Sequence, residues 1–221
     1  MSGTVAQPFE QGSSVETTAR VEFLLPGTWW QVDLGSQKAV TASARAMAIR
    51  TVGKSDEMAQ VRREMTEHVV KAAESASAID ASEFYLALEV VPGAPMPLSL
   101  TIASPRLPDL LSLASGGMSA AISIKAALEK AGGSEVAVTA RDEGNVAWAR
   151  SYELLQGPVV PEAEPVHRLS VDYWLADRTG RTVLFAFSLA AIPEEAIEAV
   201  LELTDAIAST ASWPQAAPAS E

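Results

Sequence analysis

The chain has 221 residues, 48% of them hydrophobic and 20% charged, enough apolar material to fill a globular core. Its 28 acidic against 16 basic residues leave a net charge of −12. So few cations can displace little of the counterion atmosphere of DNA or anionic lipid, which disfavours a nucleic-acid partner. No cysteine is present, and this excludes disulfides, thiolate nucleophiles and thiolate metal sites.

Met1–Thr18 is small, polar and aperiodic and reads as a disordered arm. Met1–Val15 has no basic residue and no apolar run, so no secretory leader is expected. No run reaches the ~18 consecutive apolar residues of a spanning helix. The expectation is a cytoplasmic protein without membrane insertion. The excess of Arg over Lys and the abundance of Ala fit a GC-rich bacterial genome.

Ala19–Leu25 alternates, with Val21, Phe23 and Leu25 on one side, and reads as a strand ended by Pro26-Gly27. Trp29–Leu34 follows as a second strand with Trp30, Val32 and Leu34 on one face. Gln37–Thr51 is helical and stops at Gly53. Ser55-Asp56-Glu57 then offers a fresh helix start, with serine as N-cap and acids at the positive helix end. That helix runs to Ala78, with Met58, Val61, Met65, Val69 and Ala72 at helical spacing. Glu67 precedes Lys71 by four residues, the favourable order for an ion pair. Arg62-Arg63, flanked by Asp56, Glu57, Glu64 and Glu67, reads as a mixed solvated face.

Phe84–Val91 and Leu98–Ala103 read as antiparallel partners across a proline-rich connection. Leu107–Ala114 and Met118–Ala131 look helical, punctuated by the pairs Gly116-Gly117 and Gly132-Gly133. Glu135–Ala140 and Val146–Leu154 read as a hairpin, followed by a loop over Gly157–Pro165. Val166–Leu175 and Arg181–Leu189 form a second hairpin, joined through Asp177-Arg178-Thr179-Gly180. Pro193 suits a first helical turn. The helix Pro193–Thr210 places Ala196, Ile197, Val200, Leu201, Leu203, Thr204 and Ile207 on one arc. Glu194, Glu195, Glu198, Glu202 and Asp205 lie on the other, so the helix should dock with an acidic outer face. Trp213-Pro214 closes the fold, and the segment from Pro214 to Glu221 reads as a disordered tip. Residues 19–213 are therefore read as one α/β (α+β) domain, a largely antiparallel sheet sandwiched by helices.

Chemical motifs are sparse. The two histidines, His68 and His167, lie far apart in sequence, and no G-x-S-x-G elbow accompanies them. Glu64 and His68 share a helix face, but two ligands make a poor metal site, and an intrahelical pair is the plainer reading. Neither phosphate-binding glycine pattern occurs. The strand acids Glu83, Glu89 and Asp172 are expected on solvated faces with ordinary titration. No catalytic residue, metal or cofactor is assigned. Trp29-Trp30 and Tyr173-Trp174 stand out, because adjacent strand residues point to opposite faces. Each pair either lies under helices on both sides or supplies an aromatic anchor for a protein partner.

The stretch Ser170–Trp213 carries a family likeness. Val171-Asp172-Tyr173-Trp174-Leu175, then Val183-Leu184-Phe185-Ala186-Phe187-Ser188, then a helix ending in Ile207 and Trp213, resembles the PsbP-like fold shared with the Ran-binding Mog proteins. It covers about a fifth of the chain. The resemblance implies an antiparallel sheet between helices and a role as adaptor or assembly factor. It carries over no residue role, since the matching positions are core positions. The expectation is a non-enzymatic protein-binding or assembly module with Trp29, Trp30, Tyr173 and Trp174 as candidate contacts. The alternatives are a carrier of a small apolar ligand between sheet and helices, and a cryptic hydrolase.

Overall fold

The computed structural model describes residues 21–90, 96–104, 120–132, 138–143, 146–156, 167–177 and 181–214. Period-two alternation of bulky and small residues builds the sheet. Strands β1 (Thr28–Val32), β2 (Ala81–Glu89), β3 (Leu98–Ala103), β4 (Val138–Glu143), β5 (Val146–Gln156), β6 (His167–Asp177) and β7 (Thr182–Ile192) lie in the order β1-β2-β3-β7-β6-β5-β4. Every neighbouring pair is antiparallel. Two meanders thus meet where β3 pairs β7, and the α+β class expected from the sequence is the one observed.

Register decides what each face carries. One cross-strand row reads Tyr85, Leu100, Phe187, Val171 and Tyr152; its neighbour reads Ile102, Phe185, Tyr173 and Arg150. All of these except Arg150 belong to the main core or pack against it, and helix α4 (Ile197–Ser209) covers that core with Val200, Ile207 and Ala208. The row on the opposite face reads Phe84, Thr101, Ala186, Asp172 and Ser151. There, helices α1 (Gln37–Val52) and α2 (Ala59–Ala78) cover Val32 and Phe84, while α3 (Ala120–Gly132) covers Ala149, Trp174 and Ala176.

The local signals explain most boundaries. Ser36 caps α1 by accepting from the Ala39 N–H at 3.2 Å. Gly53, at φ 81°, ends α1 and donates to the Ile49 carbonyl. Gly27, at φ 78°, sits where β1 begins against the end of β2; a Cβ there would collide with the Glu89 carbonyl oxygen. Asp177 closes the β6–β7 hairpin, accepting from the Arg181 N–H at 2.9 Å and from its guanidinium Nε at 2.7 Å.

Three expectations need correction. Ala19–Leu25 does not form a strand over its described part: Glu22 makes one antiparallel bridge with Ser212. Its partner is the irregular tail after α4, which offers no further ladder. Val21, Phe23 and Leu25 nevertheless point inward, and Phe23 lies edge-on to Phe185 at 5.0 Å. Second, Ser55 makes no side-chain cap; a 3-10 turn, Asp56–Met58, precedes α2. Arg62 fixes that connection instead, donating to the carbonyls of Gly53 and Ser55 at 2.9 and 2.7 Å. Third, Val61 is 39% exposed and the buried stripe of α2 is Val69, Ala73 and Ala76. The expected helix at Leu107–Ala114, the arm, the tip and the loop at Gly157–Pro165 lie outside the described residues.

Candidate binding surface

The aromatic pairs were the sequence's candidates, and the sheet separates them. Trp29 packs on the α4 side and donates its indole N–H to the Pro26 carbonyl at 2.7 Å. Trp30 packs beneath the α1–α2 hairpin and donates to Ser43 Oγ on α1 at 3.1 Å. Tyr173 is fully buried on the α4 side, edge-on to Trp148 and Phe187, and presents no surface to a partner. Trp174 lies under α3. The four side chains therefore occupy both faces of the sheet and form no common patch. Helix packing accounts for the inner sides of Trp30 and Trp174, and the main core for Trp29 and Tyr173.

A polar clamp seats α4. The Tyr173 hydroxyl lies 2.9 Å from Thr204 Oγ1 and donates to Asp205 Oδ1 at 2.6 Å. Arg150 Nη1 donates to both Asp205 oxygens, at 2.8 and 2.7 Å. Burial, and then the Asp205 carboxylate, push the Tyr173 hydroxyl far above the ordinary tyrosine range. Asp205 thus leaves the acidic outer arc to which the helical wheel assigned it. The register of Arg150 on β5 provides the reason: it pairs opposite Tyr173, and both side chains reach that turn of the helix.

A concavity lies on the other side of the molecule, along the outer surface of the α1–α2 hairpin. It is a groove of about 1090 Å³. From α1 come Thr41, Arg45 and Ile49; from α2 come Ala59, Arg62, Arg63, Thr66, Glu67, Val70, Lys71 and Glu74. Two right-handed helices with small buried residues approach closely, with Ala44 and Ala73 both fully buried. The longer side chains are thereby driven to the groove walls. Arg62 is engaged with backbone carbonyls, and Glu74 accepts from Gln37 at 3.1 Å. Among the described residues, Arg45, Arg63 and Lys71 make no ion pair; the expected Glu67–Lys71 pair is not formed. Ile49, 40% exposed, and half-buried Val70 supply an apolar strip between the cations.

Charge is distributed unevenly. Residues 37–78 hold Lys38, Arg45, Arg50, Lys54, Arg62, Arg63 and Lys71 against Asp56, Glu57, Glu64, Glu67 and Glu74. The hairpin is thus weakly cationic on a chain of net charge −12. Arg62-Arg63 looked like a mixed solvated face because Arg45 joins them only across the helix pair. Alternate cations at helical spacing on both segments were the available signal.

Other polar groups sit elsewhere. A cleft of about 580 Å³ at one end of the main core is lined by Gln31, Ser82, Glu83, Arg181, Thr182 and Trp213, among others. Glu83, 6% exposed, accepts from the Tyr85 hydroxyl, so it is not on a solvated face. The Arg181 guanidinium, held by Asp177, lies over the Trp213 ring at 5.6 Å. Asp172 is half-buried on the α3 side, and burial, followed by Glu153, pushes its carboxyl above the ordinary range. His68 is exposed, and its neighbour Glu64 is taken by Gln60 at 2.6 Å. His167 is half-buried. Among the described residues, no group of three or more His, Cys, Asp or Glu side chains could hold a metal ion, and no helix is long and apolar enough to cross a membrane. No family model, curated protein or solved structure matches this chain.

Proposed function

We propose that this chain is a non-enzymatic protein-binding or assembly module of bacterial, cytoplasmic type and PsbP-like architecture, which recognises an acidic, partly apolar protein segment in the α1–α2 groove. The observation that carries the reading is the groove itself. Arg45, Arg63 and Lys71 are cations without ion-pair partners among the described residues, and they flank Ile49 and Val70. Surface cations beside an apolar strip give a segment both charge complementarity and buried area. Recognition thereby moves from the aromatic pairs to the hairpin. The carrier alternative calls for an apolar cavity between sheet and helices; the cleft at the end of the main core is mixed, with Val21, Ile102 and Val183 beside Glu83, Arg181 and Gln31.

Titration of the labelled protein with a synthetic acidic amphipathic helix built from Glu, Ala and Leu tests this. The amide signals of Arg45, Ile49, Arg63, Val70 and Lys71 should move together, and Arg45→Glu/Arg63→Glu should abolish the response. Shifts elsewhere, or shifts that survive the double variant, would overturn the reading.

A further inference from the structure

Resting on the groove reading above, we infer that its occupant is helix α4 of a second copy of this chain, so that the molecules associate head to tail. The outer stripe of α4, continued back into the 3-10 turn Glu194–Ala196, is Glu195, Glu198, Ala199, Glu202 and Ala206, all exposed. Carboxylates alternate with alanines along it. The small side chains let a helix approach closely, and the acids reach the flanking cations. Length agrees as well: at ~1.5 Å per residue the α2 wall from Ala59 to Glu74 spans about 24 Å and the thirteen residues of α4 about 20 Å, so α4 fits within the groove.

Topology then fixes the mode of assembly. The hairpin covers the Phe84 face of the sheet and α4 the Tyr85 face, so the two surfaces of one molecule point apart. They meet only between copies. Such a contact joins unlike surfaces and, without a closing rotation, repeats along a chain of molecules.

The charge balance gives this contact a recognisable salt dependence. Each copy carries net −12, and at about 0.01 M salt, where fields reach about 30 Å, whole-molecule repulsion opposes association. Near 0.15 M the reach falls to about 8 Å, so the distant charges are screened while the contacting Arg–Glu pairs persist. At about 1 M, with a reach of about 3 Å, these pairs weaken as well. Association should therefore peak at intermediate salt.

Sedimentation equilibrium of the full chain across these three salts tests the inference. The expected result is a weight-average mass that rises about two-fold or more with concentration near 0.15 M and stays monomeric at both extremes. Arg45→Glu/Arg63→Glu and Glu198→Lys/Glu202→Lys should each be monomeric with unchanged circular dichroism, because each pairs like charges. Mixed one to one, they should associate again, since acidic α4 then meets a cationic groove and cationic α4 an acidic one. A wild type that is monomeric at every salt, or a mixture that fails to associate, overturns the second copy as occupant. If the acidic peptide still titrates the groove in that event, the binding reading stands alone; if it does not, both fall.

Discussion

The two helical covers of this sheet differ in kind. On one face α4 lies over a dense layer of aromatic and branched residues, including Phe185, Phe187, Trp148 and Tyr173, and is pinned by the Tyr173–Thr204–Asp205–Arg150 clamp. On the other, α1 and α2 cover the β1–β2 end of the sheet using Val40, Ala44, Met47, Ala48, Val69, Ala73 and Ala76. The first cover derives its stability from apolar area and from polar groups that have to stay satisfied once buried. The second derives it from close helix approach, and its charged side chains remain outside. Under the α1–α2 hairpin the buried layer is mainly alanine and valine supplied by the helices; under α4 the aromatic layer belongs to the strands, and each cover carries charged residues on the outside.

The largest effect expected from this contrast is at Phe185. Phe185→Ala should cost about 3–5 kcal/mol, read from urea unfolding midpoints, because it leaves a cavity in the thickest part of the core. An effect below about 1 kcal/mol would mean that the α4 side is not the denser one. On the hairpin side, Ala73→Leu should cost about 1–3 kcal/mol, through overpacking rather than through a cavity. A neutral result would show that the helices can separate, and that the groove is deformable.

The clamp sharpens the comparison within α4 itself. Asp205→Asn should cost about 1–3 kcal/mol, since Arg150 and the Tyr173 hydroxyl lose their charged acceptor. Glu198→Gln, one of the exposed acids, should stay within about 0.5 kcal/mol. Thermal unfolding of both variants side by side checks this; equal effects would remove the distinction between the clamp and the outer stripe.

Asp172 gives the subtlest test. Its folded carboxyl titrates above the ordinary aspartate range, so the folded state binds this proton more tightly than the unfolded chain. Its contribution to stability is therefore favourable below the unfolded value and is lost as pH rises through the raised folded value. Asp172→Asn should stabilise the protein at neutral pH, with the gain shrinking as pH falls into the acid range. A loss at neutral pH would mean that the charged carboxylate has a favourable partner.

Several features were determined by local sequence alone. Leu98–Ala103 alternates so that Leu98, Leu100 and Ile102 share the main core, and this strand was legible to the residue. The hairpin at Asp177 and Arg181 and the inner arc of α4 followed from turn chemistry and from the 3.6-residue period, both of which act over a few residues. Tertiary structure decided the rest. Glu22 paired with Ser212 because the segment before β1 meets the segment after α4, and Asp205 turned inward because Arg150 lies opposite Tyr173. Arg45 joined Arg63 and Lys71 in one groove because two alanine-faced helices pack side by side. Periodicity reports which residues share a face of one element; it carries no information about which face of another element will lie across from it, and each of these sites is made by two elements.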